Sequence, residues 1–250
     1  MWPELSAPVI FAHRGASAYA PENTLAAFNL AFEQGADGIE LDVKLSADGE
    51  VVVIHDATVE RTTNGQGRVA DLPLAALREL DAGSFFADKF RGERIPTLSE
   101  VFASVGGKLF INVELTNYRT RKDNLVEKSV ALVVKHGLQD RVLFSSFLQR
   151  NLSKTAQLLP DTPRGLLTLP KIMGWWARSV IFALGDYQAL NPHIGDVSPK
   201  SVERAHKMGR QVNVWTVNDA EDMRRLKDWG VDGIITDDPL LASQIFRVDK

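Results

Sequence analysis

Residues 36–56 read ADGIELDVKLSADGEVVVIHD, and the alternation of apolar and acidic side chains at the start of this stretch decides the fold. Successive side chains of a β-strand point to opposite faces, so Glu40 and Asp42 share one face and the apolar side chains around them share the other. Carboxylates on an otherwise buried face are costly unless a positive group neutralises them. A divalent cation is the simplest such group, and oxygen ligands favour a hard ion, Mg2+ or Ca2+.

The same stretch contains a hairpin signal. The segment SADG at 46–49 would reverse the chain into a second strand, Val51–His55. Roughly sixty residues separate the acidic strand from the next strand of the series, whereas an ordinary connection has about 2–6. They include the turn-rich TTNGQG, the helix-like LPLAALREL and a capping-box pattern at Thr97 and Glu100. We therefore expect an insertion at about 56–107 that caps the active face.

Apolar strand patterns alternate with helical patterns outside this segment. Near-continuous apolar runs with β-branched residues are typical of buried parallel strands. The predicted strands are Val9–His13, Gly38–Val43, Lys108–Glu114, Arg141–Phe147, Pro163–Leu169, Tyr187–Ile194, Gln211–Val217 and Gly233–Asp237. The predicted helices include Thr24–Gln34, with Asn23 as N-cap, Asn124–Lys135, Ser201–Met208 and Ala220–Trp229. This order predicts an α/β fold, a (β/α)8 TIM barrel with a small insertion after strand 2, as a single domain over 1–250.

Titratable side chains recur where the predicted strands end. His13 ends the first strand, Glu114 ends the third, and His55 ends the hairpin strand. Catalytic groups of such barrels lie where strands end and loops begin, so these side chains should meet Glu40 and Asp42. Two histidines near three carboxylates indicate acid–base chemistry at a metal site, because histidine titrates near neutral pH.

Composition excludes several classes of protein. The 250 residues contain no cysteine, which removes disulfides, thiol nucleophiles and Cys-based metal sites and suits a reducing compartment. The formal net charge is −3 and no long basic run occurs, so we expect no nucleic-acid partner. Residues 1–15 lack the pattern of a secretory signal, and charged and helix-breaking residues interrupt the apolar stretch 165–185. We therefore expect a cytoplasmic protein.

Several motifs resemble those of the glycerophosphodiester phosphodiesterase family over nearly the full length of the chain. They are HRGASAYAPENTLAAF, GADGIELDVKLSADGEVVVIHDATVERTTNGQG, IPTLSEVF, INVEL, NVWTVND and GVDGIITDDP. Each is weak alone, but their order and spacing together are specific. The resemblance implies the same barrel fold and the hydrolysis of small-molecule glycerophosphodiesters to glycerol 3-phosphate and an alcohol.

The resemblance also implies roles for individual residues. Three carboxylates match the family's metal ligands, namely Glu40, Asp42 and Glu114. His13 and His55 match the acid–base pair; the residues do not decide between them, and our preferred assignment is His13 as base and His55 as acid. Arg14 matches a residue that holds the substrate phosphate. One position departs from the family, which often has lysine where this chain has Thr116, so the resemblance implies no second cationic contact to phosphate at this position.

Three functions remain open on this evidence. They are a metal-dependent glycerophosphodiesterase, a lysophospholipase D acting on lysophospholipids, and a non-catalytic binding barrel. The intact histidines and carboxylates argue against the third. A metal-dependent amidohydrolase is disfavoured, because His13 is followed by Arg14 and no His-x-His pair occurs in that strand. Pairing of Glu40 and Asp42 with arginine instead of metal is the less favoured alternative, since the strands offer few inward-facing basic side chains.

Other residues have two interpretations. Trp215 would either line the substrate pocket or pack against the helices, and the sequence does not separate these. Asn23 and Asp56 fit an ordinary cap and turn better than chemical groups. Asp237 and Asp238, before Pro239, would close the last strand and start a helix.

Large apolar side chains follow the fifth predicted strand, at Ile172, Trp175, Trp176, Val180, Phe182 and Leu184. Their partly helical spacing favours packing of an ordinary barrel helix against the sheet. The alternative is a hydrophobic lip beside the metal site. Together with Lys171 and Arg178, such a lip would suit weak contact with lipid headgroups or an acyl chain.

Overall fold

Eight parallel strands close into a barrel in the computed structural model, which describes Leu5 and residues 8–247. The strands are β1 (Val9–His13), β2 (Gly38–Leu45), β3 (Val51–Val53), β4 (Phe110–Leu115), β5 (Val142–Ser146), β6 (Arg164–Thr168), β7 (Ala189–Pro192), β8 (Gln211–Val214) and β9 (Gly233–Thr236). β3 pairs antiparallel with β2 beside the ring, and β1 pairs with both β2 and β9, which closes it. The (β/α)8 TIM barrel prediction is confirmed, with strand ends that differ by a few residues.

Helices lie between successive strands of the barrel, and one further helix follows the last strand. They are α1 (Leu25–Glu33), α2 (Leu74–Arg78), α3 (Leu98–Val105), α4 (Leu125–His136), α5 (Gln149–Leu158), α6 (Phe182–Leu184), α7 (Pro199–Lys207), α8 (Ala220–Asp228) and α9 (Pro239–Phe246). None of the described residues belongs to a helix that is long and apolar enough to cross a membrane. The expectation about a secretory signal rests partly on residues 1–4, 6 and 7, which lie outside the described part of the chain.

The predicted cap of the first helix was wrong. Thr24 is the N-cap of α1, and its hydroxyl accepts a hydrogen bond from the Ala27 amide at 3.3 Å. Asn23 instead adopts a positive φ of 57° and turns its amide group to Asp42. Asparagine tolerates this left-handed conformation better than most residues, so the residue that the pattern assigned to a cap is free to reach the barrel interior.

The segment between β2 and β4 begins as the predicted hairpin. It then forms a small apolar cluster of its own, made of Val52, Ile54, Val59, Val69, Leu77, Ala82 and Ile95. The predicted capping box is present, because the Thr97 hydroxyl accepts from the Glu100 amide and the Glu100 carboxylate accepts from the Thr97 amide. The helix that follows, α3, packs against α1 and α4 in the main core and so belongs to the outer helical layer.

The faces of β2 separate the main core from the barrel interior. Its apolar side chains lie buried between sheet and helices, while Glu40 and Asp42 face inward. Below them, an apolar floor fills the interior, made of Phe11, Phe110, Leu143 and Ile235. A side chain at Gly38 would place a Cβ 2.6 Å from the Phe110 carbonyl oxygen and 3.0 Å from the Phe11 ring, so glycine is required for this floor. The carboxylates Glu40 and Asp42 therefore lie on the carboxyl-terminal side of this floor.

The segment after β6 does not form a regular barrel helix. A 3-10 turn (Lys171–Gly174) and a single π turn (Ala177–Ile181) precede the short α6. The predicted packing of this segment on the sheet was wrong for most of its large apolar side chains. Five of the six are exposed, namely Ile172 (86%), Trp175 (53%), Trp176 (63%), Val180 (36%) and Leu184 (83%), and Phe182 is buried.

Candidate active site

Three carboxylates meet at the carboxyl ends of β2 and β4. The register sets Asp42 opposite Glu114, and alternation places Glu40 on the same face. One oxygen of each lies within 4.8 Å of the other two. Burial, followed by repulsion from Asp42, raises the pKa of Glu114 to about 8. Burial and repulsion from Asp42 and Glu114 likewise raise the pKa of Glu40 well above its ordinary value. The cluster therefore lacks sufficient positive charge of its own.

The surroundings of the cluster fit a divalent cation. Arg14 is the nearest guanidinium, with its Nε 3.3 Å from Asp42 Oδ2, but its Nη1 also pairs with Glu22 at 2.8 Å, so it cannot balance three carboxylates. Asn112 lies opposite Glu40 in the register, and its buried Oδ1 accepts no hydrogen bond. An orphaned buried oxygen beside three carboxylates is an all-oxygen donor set, which suits a hard ion.

His13 is held at the rim by the last strand. Its Nδ1 lies 2.6 Å from Asp237 Oδ1, and its Nε2 lies 3.9 Å from Glu40 Oε2. Asp237 also accepts hydrogen bonds from the Ser17 hydroxyl and the Asn218 amide. Burial opposes the ionisation of Asp237, but the hydrogen bond and charge of His13 outweigh it and hold the pKa of this carboxyl below its ordinary value. The carboxylate orients the ring so that Nε2 points towards the carboxylate cluster.

His55 has the same kind of partner, supplied by the residue that follows it. Its Nδ1 lies 2.6 Å from Asp56 Oδ1, and Arg61 binds the same carboxylate through Nε at 2.6 Å. Arg61 also donates two hydrogen bonds to Glu22, which in turn binds Arg14. The hydrogen bond from Arg61, ahead of that from His55, lowers the pKa of Asp56 to about 2. Hydrogen bonds through Asp56, Arg61 and Glu22 therefore connect His55 to Arg14, the residue that follows β1.

The histidines and two of the carboxylates line a cavity of about 170 Å3, whose walls also include Arg14, Asn112, Phe147, Leu167 and Trp215. The Trp215 indole donates to the Asn191 carbonyl at 2.8 Å and stacks edge-to-face on Phe147 at 5.8 Å. Of the two interpretations of Trp215, the geometry supports a pocket wall, because its ring is held by strand-end residues and not by the outer helices.

Thr116 is buried beside a lysine from the neighbouring strand. The Lys44 ammonium donates to the Thr116 hydroxyl at 2.7 Å and to its carbonyl oxygen at 3.1 Å. Burial lowers the pKa of Lys44, and the charges of Asp42 and Glu114 oppose this effect. Tyr118 donates its hydroxyl to Glu114 Oε1 at 2.6 Å. A cation therefore lies next to the position where the family often has lysine.

The family model for the glycerophosphoryl diester phosphodiesterases matches residues 13–241, a range that contains every group described above. The chain belongs to this family. A glycerophosphodiester phosphodiesterase from Caldanaerobacter subterraneus subsp. tengcongensis is 44% identical over 240 residues, covering 96% of this chain and 98% of that protein. One from Bacillus subtilis is 35% identical, covering 94% of this chain and 85% of that protein.

Solved structures of the family share the fold. A phosphodiesterase from Oleispira antarctica, in complex with the product sn-glycerol 3-phosphate, superposes with a TM-score of 0.88 at 33% identity and covers 97% of both chains. A glycerophosphodiester phosphodiesterase from Agrobacterium tumefaciens has a TM-score of 0.83 at 32% identity and covers 95% of this chain and 99% of that chain.

Several polar residues of this family member's site were missed or misread in the sequence. Asn23 donates to Asp42 at 3.0 Å instead of capping a helix, and Asp237 binds His13 in addition to closing its strand. Asp56 was interpreted as a turn residue, but it is the hydrogen-bond partner of His55. Its position directly after His55 could have indicated this contact. Glu22 gave no signal, because its role depends on an arginine 39 residues away.

Proposed function

We propose that this chain hydrolyses glycerophosphodiesters to glycerol 3-phosphate and an alcohol, with Mg2+ or Ca2+ held by Glu40, Asp42 and Glu114. The observation that carries the proposal is the convergence of three carboxylates with two carboxylate-bound histidines at one cavity. The Oleispira antarctica relative binds sn-glycerol 3-phosphate, the product expected here, which supports a small-molecule substrate. No feature of the site favours lysophospholipase D over this activity.

A bound cation would neutralise the carboxylates and stabilise the negative charge that develops on the phosphoryl oxygens. Arg14 would hold the substrate phosphate. Its backbone has a positive φ of 56°, and its amide donates to Glu40 Oε2 at 3.2 Å, so the chain turns sharply at the strand end. Glu22 and Asp42 hold the guanidinium at the cavity wall, where its remaining N–H groups offer a fork to phosphate.

The two histidines would transfer the protons. In the neutral ring of each, a carboxylate hydrogen-bonded to Nδ1 favours the tautomer with the proton on Nδ1, which leaves Nε2 free to accept a proton. Our assignment is that neutral His13 takes on Nε2 the proton of the attacking glycerol hydroxyl of the substrate, while His55, protonated on both ring nitrogens, gives its Nε2 proton to the leaving alkoxide. Water then opens the resulting cyclic phosphate with the two roles reversed, which returns both histidines to their starting states. The Asp237 and Asp56 carboxylates, which accept hydrogen bonds from Nδ1 of His13 and His55, would stabilise each ring when it carries a positive charge.

The test is an assay of glycerol 3-phosphate release from a panel of glycerophosphodiesters and lysophospholipids. We expect turnover of the former, loss of turnover in excess EDTA, and recovery on addition of Mg2+ or Ca2+. Glu40→Gln should remove the activity without unfolding the barrel, whereas Glu79→Gln, at an exposed position in the insertion, should retain it. Full turnover by the wild-type protein in metal-free buffer would refute the role of the cation.

A further inference from the structure

Seven of the fourteen exposed large apolar side chains among the described residues follow β6, and they are independent of the chemistry proposed above. We call this group the β6 patch and define it as Leu169, Ile172, Met173, Trp175, Trp176, Val180 and Leu184, which are between 36% and 86% exposed. Soluble monomers seldom leave large apolar side chains clustered in this way, and such clusters mark interaction sites. The patch includes two tryptophans in edge-to-face contact at 5.3 Å.

The exposure of the β6 patch is imposed by specific contacts at its base. Arg178 Nη1 donates to the Leu169 carbonyl at 2.7 Å and pairs with Asp196 at 3.2 Å, while its Nη2 donates to the Lys171 carbonyl at 2.6 Å. Asp196 also accepts from the Lys171 amide. Gly174 is buried, and a Cβ there would lie 1.8 Å from the Leu169 carbonyl oxygen. The turn is therefore held in the conformation that directs its apolar side chains outward.

Positive charge surrounds the β6 patch although the chain is acidic overall. Residues 169–184 contain no Asp or Glu. The first three carboxylates that follow this segment in the chain are already paired, Asp186 with Arg164, Asp196 with Arg178 and Glu203 with Lys207. In the part of the chain that the structure describes, no acidic partner lies within salt-bridge distance of Lys171, Lys200 or Arg204. The net charge of −3 is thus distributed so that this surface is basic.

A cavity of about 310 Å3 opens beside the patch, between the π turn and α7. Its polar lining includes Arg178, Lys200 and Arg204 with two serine hydroxyls at the start of α7, and Trp175 and Phe182 form apolar walls. Asp196 is the single carboxylate of the lining, and Arg178 already binds it. The combination of ammonium, guanidinium and hydroxyl groups next to exposed tryptophan suits the phosphate of a phospholipid headgroup.

The start of the β6 patch, at Leu169, lies at the same end of the barrel as the active site, whereas Leu184 lies towards the amino ends of the strands, where Arg210 binds the Gly185 carbonyl. Leu167, two residues before the patch begins, lines the catalytic cavity. The patch is also tied through Asp196 to the loop after β7, which carries His193 against Trp215. A surface that binds the start of the patch would therefore face the carboxyl ends of the strands.

We infer that the β6 patch docks on the surface of a bilayer that contains anionic phospholipid. The exposed tryptophans and Ile172 would enter the headgroup region, and the basic cavity would hold a lipid phosphate. A second copy of the chain fits less well, because apposed patches would bring Lys171, Lys200 and Arg204 together without unpaired carboxylates to meet them. Anionic lipid supplies the opposite charge.

The experiment is co-sedimentation with extruded vesicles of phosphatidylcholine and phosphatidylglycerol in equal amounts, compared with vesicles of phosphatidylcholine alone. We expect binding to the mixed vesicles at low salt. Since each surface cation contributes about fivefold to such partitioning, Lys200→Gln with Arg204→Gln should weaken binding roughly 30-fold. Ile172→Ser with Trp176→Ser should weaken it at least about tenfold, because both apolar side chains lose their burial in the interface.

Matched controls lie outside the β6 patch. Lys135→Gln with Arg150→Gln removes two exposed cations from α4 and α5, and Phe85→Ser with Val134→Ser removes two exposed apolar side chains outside the patch. Both controls should bind vesicles like the wild type, and all four variants should keep their turnover of a soluble glycerophosphodiester. Vesicle binding does not require turnover, so it tests the patch even if the proposed activity fails.

Three outcomes would overturn the inference. They are no binding of the wild type to mixed vesicles, equal losses in the patch and control variants, and a concentration-dependent dimer in light scattering that the Ile172 and Trp176 changes abolish without changing vesicle binding. The last would assign the patch to a second copy of the chain. If the apolar double variant lowers the melting temperature, the exposed Lys200 and Arg204 changes still decide the question.

Discussion

The carboxylate cluster makes the stability of the metal-free protein depend on pH in a direction that the structure sets. The pKa of Glu114 is raised from an ordinary value of 4.5 to about 8 by burial and by repulsion from Asp42. In the unfolded chain this carboxyl ionises near its ordinary pKa, so between these two values only the folded protein holds the proton. Unfolding then releases a proton, and the free energy of unfolding falls as pH rises through this window.

The magnitude follows from the size of the shift. At about 1.4 kcal/mol for each pKa unit, the full loss above pH 8 is on the order of 5 kcal/mol. Glu114 keeps some exposure to solvent, which reduces this to roughly 3 kcal/mol, and the raised pKa of Glu40 adds a loss of the same sign. For a chain of this size, about 3 kcal/mol corresponds to a fall of about 6–12 °C in melting temperature.

The assay is thermal unfolding in EDTA and in saturating Mg2+ or Ca2+ from pH 5 to pH 9. We expect the melting temperature in EDTA to fall across this range, and the cation to remove most of the fall because it replaces the protons. Calorimetric titration near pH 7 should show that cation binding releases protons. Glu114→Gln should flatten the profile in EDTA, and Glu79→Gln, at an exposed site, should leave it unchanged. A metal-free protein that gains stability between pH 5 and 8 relative to the metal-bound one would refute the reasoning.

Three further predictions concern the groups around the cluster. His13→Ala and His55→Ala should each reduce kcat by about 10²–10⁴-fold, and a substrate with an activated leaving group should rescue only the variant that lost the acid. Near wild-type turnover of a substrate with a poor leaving group would contradict the role of that histidine in proton transfer. Asp237→Asn should lower kcat at least about tenfold with little change in KM, because it removes the carboxylate that orients His13; equal changes in both would indicate a structural effect. Gly15→Ala should lower the free energy of unfolding in urea by about 1–3 kcal/mol, because the φ of Gly15 is +85° and the new Cβ would lie 2.6 Å from Ala27 Cβ. Gly107→Ala is the control and should have little effect, because nothing lies within 4 Å of a Cβ at that position.

The sequence predicted the parts of the site that strand geometry controls. Period-two alternation identifies the inward face of β2, and parallel register then brings Asp42 opposite Glu114, so the carboxylate cluster follows from local pattern and topology. The partners of the histidines could not be predicted as securely. Asp237 reaches His13 across 224 residues of chain, and this contact exists only because the barrel closes between β1 and β9.

The segment after β6 shows a second limit of prediction from the sequence. Helical spacing of apolar side chains predicts one apolar face, but it does not say whether that face meets the sheet or the solvent. Here Arg178 and the tight turn at Gly174 direct Trp175 and Trp176 outward, and these are contacts with carbonyl groups that hydrophobic periodicity does not register.

The charge balance of the site explains why this chain can have Thr116 where the family often has lysine. With the proposed divalent cation bound, the three carboxylates, the cation and Arg14 would together carry no net charge, so an anionic phosphodiester would enter a site with no excess positive charge. Lys44 supplies one more cation, two residues beyond Asp42 on the same strand face, and Thr116 fixes its ammonium with two hydrogen bonds. A lysine at position 116 would place a second ammonium against the first. Threonine at position 116 therefore accommodates Lys44. The positive charge at this edge of the site is retained, and it comes from Lys44 on β2 instead of from a lysine after β4.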